Sequence, residues 1–235
     1  MRIVAGLLLL ALEQQPPSAA EVKALQAELV PGRLEAYAAR VAPCNAPWSR
    51  DFLSLEDRSI RATGRARRSG DDLFVGKARF RDDHSGTDGR FGVRETPGTY
   101  EYIGVYAKSG LDLVHVQYHE GDGYILVDPA SGDKVEFAQP TVPSPSGRYF
   151  AAASDAEAYN FNGVQIAERT SSGLKMAAEL EQAPNPCGLV WRSDSEIALT
   201  VKPLTFSPRR EWSRASVVRG RDGRWIYRGS AGKAG

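Results

Sequence analysis

The chain has 235 residues, of which 42% are hydrophobic and 25% charged, and 30 Lys and Arg nearly balance 29 Asp and Glu to leave a formal net charge of +1. This composition is typical of a folded globular protein and excludes a disordered, collagen-like or strongly polybasic chain. Because the charges cancel overall, affinity for nucleic acid or for an anionic membrane would need a local basic patch.

The N-terminus has the pattern of an export signal. Its first residues, MRIVAGLLLLAL, place Arg2 ahead of an apolar run that ends at Glu13. A membrane-spanning helix needs ~20 apolar residues, so this run is too short to span. Together with the small residues that end at Ala20, it predicts a signal peptide over residues 1–20. The alternative is a buried N-terminal segment. Export predicts a periplasmic or secreted protein without a transmembrane span once the leader is removed.

Residues 21–45 are predicted to form a short helical segment ahead of the main domain. Pro31-Gly32 divides this segment into two stretches, and the second stretch ends before Pro43. Apolar residues recur in both stretches at helical spacing. They are Val22, Leu25 and Leu29 in the first stretch and Leu34, Tyr37 and Val41 in the second.

The two cysteines are Cys44 and Cys187. In an oxidising compartment they could form one disulfide, and closing so long a loop would stabilise the fold by roughly 5 kcal/mol at most. The alternative is two separate buried thiols. A structural zinc site usually takes four Cys or His ligands, so this pair is too sparse for one.

From about residue 59 onward the sequence changes to short alternating runs separated by Gly, Asn and Asp. The runs include DLFVGKARF, GTYEYIGVYA, LDLVHVQY, YILVD, VQIAE and IALTV, and the connectors include Asn162-Gly163 and Asp222-Gly223. Such connectors favour tight hairpins, and no long amphipathic stretch offers a crossover helix for a parallel sheet. We therefore expect an antiparallel, mainly β domain over residues 46–235.

A repeat is visible within this domain. VPSPSGRYFAAAS (142–154) has a looser echo in VWRSDSEIALTV (190–201), and each follows a strand, an Asp/Ser-Gly turn and a second strand. This pattern resembles the blade of a TolB-like or WD40-like β-propeller and is similar to uncharacterised exported bacterial proteins that share the segments YILVD and SPSGRYF. The resemblance implies a fold and an envelope setting, without an activity. Blades of ~45 residues must number at least four to close a ring, so we expect an incomplete propeller-like array or a β-sandwich of hairpins.

Two histidines in the run LDLVHVQYH are the only candidates for acid–base or metal chemistry. Alternation puts His115 and His119 on one face, but their separation along the strand, ~13 Å, is too large for both to hold one metal ion. A bend at the next turn could instead bring His119 to Glu120 and Asp122. A metal-dependent hydrolase that uses His115, His119, Glu120 and Asp122 is therefore the enzymatic alternative. The competing interpretation is a polar, solvent-facing strand end.

The sequence lacks the residues or the spacing required for three other kinds of functional motif. The loop at residues 84–95 lacks the first two carboxylates of a calcium-binding EF-hand loop. The glycines around residues 70–78 have the wrong spacing for a phosphate loop, and no Gly-x-Ser-x-Gly nucleophile motif occurs. No cofactor is therefore predicted.

Arginines interleaved with aromatic residues near the C-terminus are the candidate ligand-binding residues, with Arg214, Arg221 and Trp212 as the representatives. Guanidinium groups bind phosphate or carboxylate, and rings stack on polymers. Export makes an envelope protein or an anionic glycan or lipid the expected partner, and nucleic acid is not expected. The competing interpretation places the arginines on a solvated face with Trp225 and Tyr227 turned to the core. The predicted function is a non-enzymatic binding module of the cell envelope.

Overall fold

The computed structural model of the chain describes residues 32–34, 56–83, 98–118, 121–155, 161–181, 183, 185–202 and 213–229. Within them the chain forms one α-helix and sixteen β-strands. The helix α1 spans Glu56–Thr63. The strands are β1 Gly32–Arg33, β2 Ala66–Ser69, β3 Asp72–Val75, β4 Ala78–Arg81, β5 Gly98–Tyr106, β6 Leu111–Tyr118, β7 Gly121–Val127, β8 Lys134–Phe137, β9 Val142–Pro143, β10 Tyr149–Asp155, β11 Asn162–Thr170, β12 Gly173–Leu180, β13 Pro186–Ser193, β14 Glu196–Val201, β15 Ser213–Arg219 and β16 Trp225–Gly229.

The strands form four sheets, which we number in chain order. The first sheet has the order β2-β3-β4, the second β1-β5-β6-β7-β8, the third β12-β11-β10-β9 and the fourth β13-β14-β15-β16. From β2 onward, neighbours in each sheet are consecutive in the chain and antiparallel. Short β1 is the exception, since it pairs in parallel with β5. Each sheet is therefore a meander built from local hairpins.

The sheets stack face to face in chain order. Each of three apolar clusters lies between two consecutive sheets, so the second and third sheets are buried on both faces. Among the described residues no cluster joins the first sheet to the fourth. Representative members are Leu73, Phe80 and Val116 between the first and second sheets, Leu113, Leu126 and Phe150 between the second and third, and Ile166, Leu199 and Trp225 between the third and fourth.

This architecture confirms the predicted fold class. The chain is a mainly β, antiparallel array of hairpins, open at both ends within the described residues and consistent with an incomplete propeller or a multilayered sandwich. Asp222-Gly223 lies in the β15–β16 connection, as its turn chemistry predicts. The same prediction is wrong for Asn162-Gly163, which forms the first two residues of β11 and pairs with Asp155 and Ser154 of β10.

Two local elements differ from the sequence prediction. Helix α1 lies in the region assigned wholly to β structure, and β1 begins at Gly32, where a break between helices is expected. The helix is short and Ile60 is its only large apolar residue, so it shows no apolar stripe. Its acidic first turn, with Glu56, is the signal that could have revealed it, because carboxylates stabilise a helix N-terminus.

The remaining N-terminal predictions fall almost entirely on residues outside the described ranges. This holds for the signal peptide, for Cys44 and for the two helices of residues 21–45. Within that range only Gly32, Arg33 and Leu34 are described, and Leu34 is buried between the second and third sheets. Cys187 belongs to β13. Because Cys44 lies outside the described residues, the disulfide between the two cysteines stays a prediction. In the part of the chain that the structure describes, no helix has the length and apolar character needed to cross a membrane.

Candidate functional site

Strand β6 carries the histidine that the sequence singles out, and it lies in the middle of the second sheet. Val114 and Val116 face the first sheet, which confirms the predicted inward face. The other face is also buried, because the third sheet covers it, and His115 is only 1% exposed. The solvent-facing interpretation is therefore wrong for His115 and correct for Gln117, which is exposed.

The strand register surrounds His115 with polar side chains. Glu101 of β5 lies directly opposite on one side, and Tyr124 of β7 lies opposite on the other. Paired residues point to the same face of a sheet, so all three face the third sheet. Asp122 lies two residues before Tyr124 on that face, and its Oδ1 is 3.3 Å from Nε2 of His115. The Tyr124 ring packs against the imidazole of His115, with 5.2 Å between the two ring centroids.

All five buried side-chain atoms that lack a hydrogen-bond partner in the described part of the chain belong to four residues at this place. Native proteins pair almost all buried polar atoms, so such a concentration needs an explanation. Ser154 contributes from the facing sheet, since it follows Phe150 and Ala152 of β10 on the same face by alternation. The atoms are Glu101 Oε2, His115 Nδ1, His115 Nε2, Asp122 Oδ1 and Ser154 Oγ. We call these four residues the His115 group.

Burial sets the protonation states in the His115 group. It raises the pKa of Glu101 to about 7, and the charge of Glu56 raises this pKa further, while Arg68 lowers it and Asp82 makes the smallest contribution, an increase. Burial also lowers the pKa of His115, while the Asp122 carboxylate acts in the opposite direction. The imidazole is therefore neutral near pH 7, which is the form that binds metal ions.

The structure brings together only part of the predicted hydrolytic set. His115 and Asp122 meet, whereas His119 and Glu120 lie outside the described residues. Within the described ranges, no three His, Cys, Asp or Glu side chains converge in an arrangement ready to hold a metal ion. Glu101 and Ser154 were missed by sequence reasoning, because cross-strand register and sheet stacking leave no local signature.

The predicted arginine site is not assembled as one cluster. Arg214 is exposed at the start of β15, whereas Arg221 is exposed in the turn beyond its end. The two positions are seven residues apart, which corresponds to ~23 Å along an extended strand. Trp212 lies outside the described residues. Trp225 and Tyr227 face the core of the third and fourth sheets, as the alternation predicts.

The outer face of the fourth sheet combines apolar and basic side chains. Val190 is 60% exposed and Ile226 45%, and these are the exposed large hydrophobic residues of the described chain. Glu196, Ala198, Ser216 and Val218 lie between them on the same face, with Arg214 and Arg228 alongside. Neither of these arginines forms an ion pair with a described residue, whereas nearby Arg192 bonds Glu196 at 2.8 Å. We call this surface the outer face.

Comparison of the chain with protein-family models, with curated proteins and with solved structures finds no match. The resemblance to TolB-like and WD40-like propellers therefore stays a prediction. The functional proposals below are based on the outer face and on the His115 group.

Proposed function

We propose that the protein is an exported, non-enzymatic binding module of the cell envelope that docks an acidic protein on its outer face. The observation that carries this proposal is the position of two exposed large hydrophobic residues, Val190 and Ile226, on one sheet face beside two arginines that form no ion pair with a described residue. A contiguous apolar patch rimmed by polar groups is typical of an interaction surface.

The opposite end of the stack shows how this fold covers an exposed sheet face. On the first sheet, the guanidinium of Arg67 lies 3.9 Å from the centroid of the Phe74 ring, and Arg79 approaches the same ring. Arg79 is in turn paired with Asp72 at 2.8 Å. These arginine side chains thus cover Phe74, the only large apolar residue on the outward face of the first sheet. Val190 and Ile226 have no comparable cover among the described residues, which favours a partner on the fourth sheet.

Charge identifies the chemistry of the partner. Arg214 and Arg228 are diagonal neighbours across β15 and β16, at a separation of about 7–8 Å between backbones. Guanidinium groups bind carboxylates in bidentate pairs, so acidic side chains suit this rim. The other end of the stack is also basic, since Arg67, Arg79 and Arg81 face only Asp72 there. Stacking a second copy would oppose like charges, which disfavours self-association.

We expect the variant Arg214→Glu/Arg228→Glu to bind poly-L-glutamate at least about tenfold more weakly than the wild type at low salt, a loss of about 1.4 kcal/mol. The reason is that the substitution replaces attraction at the rim by repulsion. Fluorescence anisotropy of labelled poly-L-glutamate measures the effect. The matched control is Arg58→Glu/Arg61→Glu, which changes the net charge equally but on exposed positions of helix α1, away from the fourth sheet. Equal losses in both variants would contradict a localised site.

The apolar part of the outer face has its own test. Val190→Ser/Ile226→Ser should weaken binding of a random Glu/Leu copolymer by about tenfold and leave binding of poly-L-glutamate unchanged, because only the copolymer offers apolar side chains to bury. Tighter binding of the wild type to polygalacturonate or to phosphatidylglycerol vesicles would identify a glycan or a lipid surface as the occupant and overturn the acidic-protein proposal.

A second candidate is a metal-dependent hydrolase that uses His115, His119, Glu120 and Asp122. The observation that favours it is the approach of His115 to Asp122 within a buried polar group. Hydrolysis of p-nitrophenyl esters that depends on added Zn²⁺ and disappears in His119→Ala would support this candidate. Stoichiometric metal binding without such activity would remove it.

A further inference from the structure

We infer that β16 is an open sheet edge to which an extended segment of the acidic partner adds as a further antiparallel strand. β16 is the last strand in the order of the fourth sheet, and no described strand pairs with its other edge. The inference rests on the proposed function, because the outward side chains of β16 belong to the outer face. It adds that backbone hydrogen bonds hold the partner together with the arginines.

The hydrogen bonds of the β15–β16 turn show which backbone groups of β16 point to the open edge. The amide of Gly220 donates to the carbonyl of Arg224 at 2.7 Å, so the carbonyl of Arg224 points towards β15. In an antiparallel ladder, successive residues of a strand direct their N–H and C=O groups to opposite sides. Trp225, Tyr227 and Gly229 therefore direct theirs away from β15.

The bond on the other side of β15 agrees with this assignment. The amide of Arg219, which lies opposite Trp225, donates to the carbonyl of Ser195 at 2.8 Å and so points away from β16. Trp225 thus belongs to a pair that exchanges no hydrogen bonds between β15 and β16, and such pairs recur at every second residue. The free edge of β16 is therefore a row of N–H and C=O groups of the kind to which an added strand bonds.

β16 lacks the features that protect the other sheet edges. Natural proteins protect an edge with charged side chains, bulges or very short strands. β12 carries Lys175, Glu179 and a register shift, β13 has two register shifts, and β1 and β9 have two residues each. β2 and β8 each contain two charged residues, and Lys134 donates to the carbonyl of Arg79 in β4 at 2.7 Å. β16 pairs with β15 without a shift, and Arg228 is its one charged residue.

The side chains of β16 define the segment that fits this edge. Ile226 and Arg228 lie on the outer face, whereas Trp225 and Tyr227 face the third sheet. β15 and β16 contain no Asp or Glu, and Arg214 is the diagonal neighbour of Arg228. Residues of an added strand that lie opposite Ile226 and Arg228 share their face. Acidic side chains at every second position would therefore meet the arginines, with apolar side chains between them on the other face.

The test uses labelled peptides of about eight residues in which Glu and Val alternate, with fluorescence anisotropy as the readout. In the antiparallel register the Val residues lie opposite Trp225, Tyr227 and Gly229, so the Val amides face β16 and the Glu amides face away. Methylation of the Val amide nitrogens should weaken binding at least about tenfold. Methylation of the Glu amide nitrogens should change the Kd by less than about twofold. The two methylated peptides have the same composition, so each is a matched control for the other.

Amide exchange of the full chain provides a second readout. Binding of the unmethylated peptide should slow exchange at Trp225, Tyr227 and Gly229, whose amides gain partners. It should change exchange less at Ile226 and Arg228, whose amides already point to β15. An equal change at all five amides would contradict the addition of a strand at this edge.

The outcomes separate this inference from the proposed function. Equal affinity of the two methylated peptides, or tighter binding of the Val-methylated one, would overturn strand addition. The acidic-protein proposal would still stand if binding of poly-L-glutamate depends on Arg214 and Arg228. Failure of both poly-L-glutamate and the unmethylated peptide to bind would overturn both proposals. Displacement of the peptide by self-association of the chain would identify a second copy as the occupant of the edge and overturn the inference.

Discussion

Arg65→Met should lower the free energy of unfolding by about 3–5 kcal/mol, because it leaves a buried carboxylate without its counter-charge. Nε and Nη2 of Arg65 each lie 2.9 Å from an oxygen of Asp112, and Nη2 also donates to the carbonyl of Gly110 at 2.6 Å. Asp112 is fully buried, and in the variant its one remaining side-chain hydrogen bond to a described residue would be that from the hydroxyl of Tyr102, which donates to it at 2.8 Å. Urea unfolding followed by circular dichroism measures the loss.

Two comparisons assign this effect to burial. Arg79→Met breaks an ion pair of similar geometry with Asp72 on the surface, and it should cost less than about 1 kcal/mol. Adding Asp112→Asn to Arg65→Met should recover part of the loss, since the double variant no longer buries an unpaired charge. Equal losses in Arg65→Met and Arg79→Met would show that the Arg65–Asp112 pair contributes no more than a surface pair.

Gly76→Ala is the second substitution with a large expected effect, at about 2–5 kcal/mol. Gly76 has φ +56° in the β3–β4 turn, and a Cβ built there would lie 2.2 Å from the backbone oxygen of Pro129. That oxygen accepts a hydrogen bond from the amide of Lys77 at 3.0 Å, so the two turns are locked together. The left-handed conformation accounts for roughly 1–2 kcal/mol of the loss, and overpacking against backbone for roughly 1–3 kcal/mol more.

The chain contains a matched control for this glycine. Gly70, in the β2–β3 turn, has φ +58°, but nothing lies within 4 Å of the position of its missing Cβ. Gly70→Ala should therefore cost only the conformational contribution, about 1–2 kcal/mol. The difference between the two variants in urea unfolding isolates the contact between the first and second sheets. No difference would show that the β7–β8 turn moves aside freely.

Local patterns predicted the strands but could not predict which of them are buried on both faces. Alternation and Gly-containing turns are properties of neighbouring residues, and the meander connects neighbours, so the hairpins follow directly. The stacking of sheets is a long-range property. For this reason the sequence pattern of β6, with its polar His115 and Asp112, predicts a half-exposed strand, whereas other sheets cover both faces of β6.

The candidate sites show the same limit. Arg214 and Arg221 are close in sequence, but an extended strand separates them, whereas Glu101 and His115 meet across β5 and β6. A bulge after Tyr102 shifts the register of that pair of strands. No sequence pattern reveals such a shift, so the partner of His115 could be found only in the structure.

The stacking of sheets in chain order also has a consequence for how the protein is made. Within the described residues each apolar cluster closes as soon as the next meander is complete, so the N-terminal layers can consolidate before the C-terminal ones have emerged, also on the far side of an export channel. Energetics dominated by nearest neighbours let the end layers open first. Amide exchange should accordingly be slowest in β6, β7 and β11 and fastest in β2 and β16.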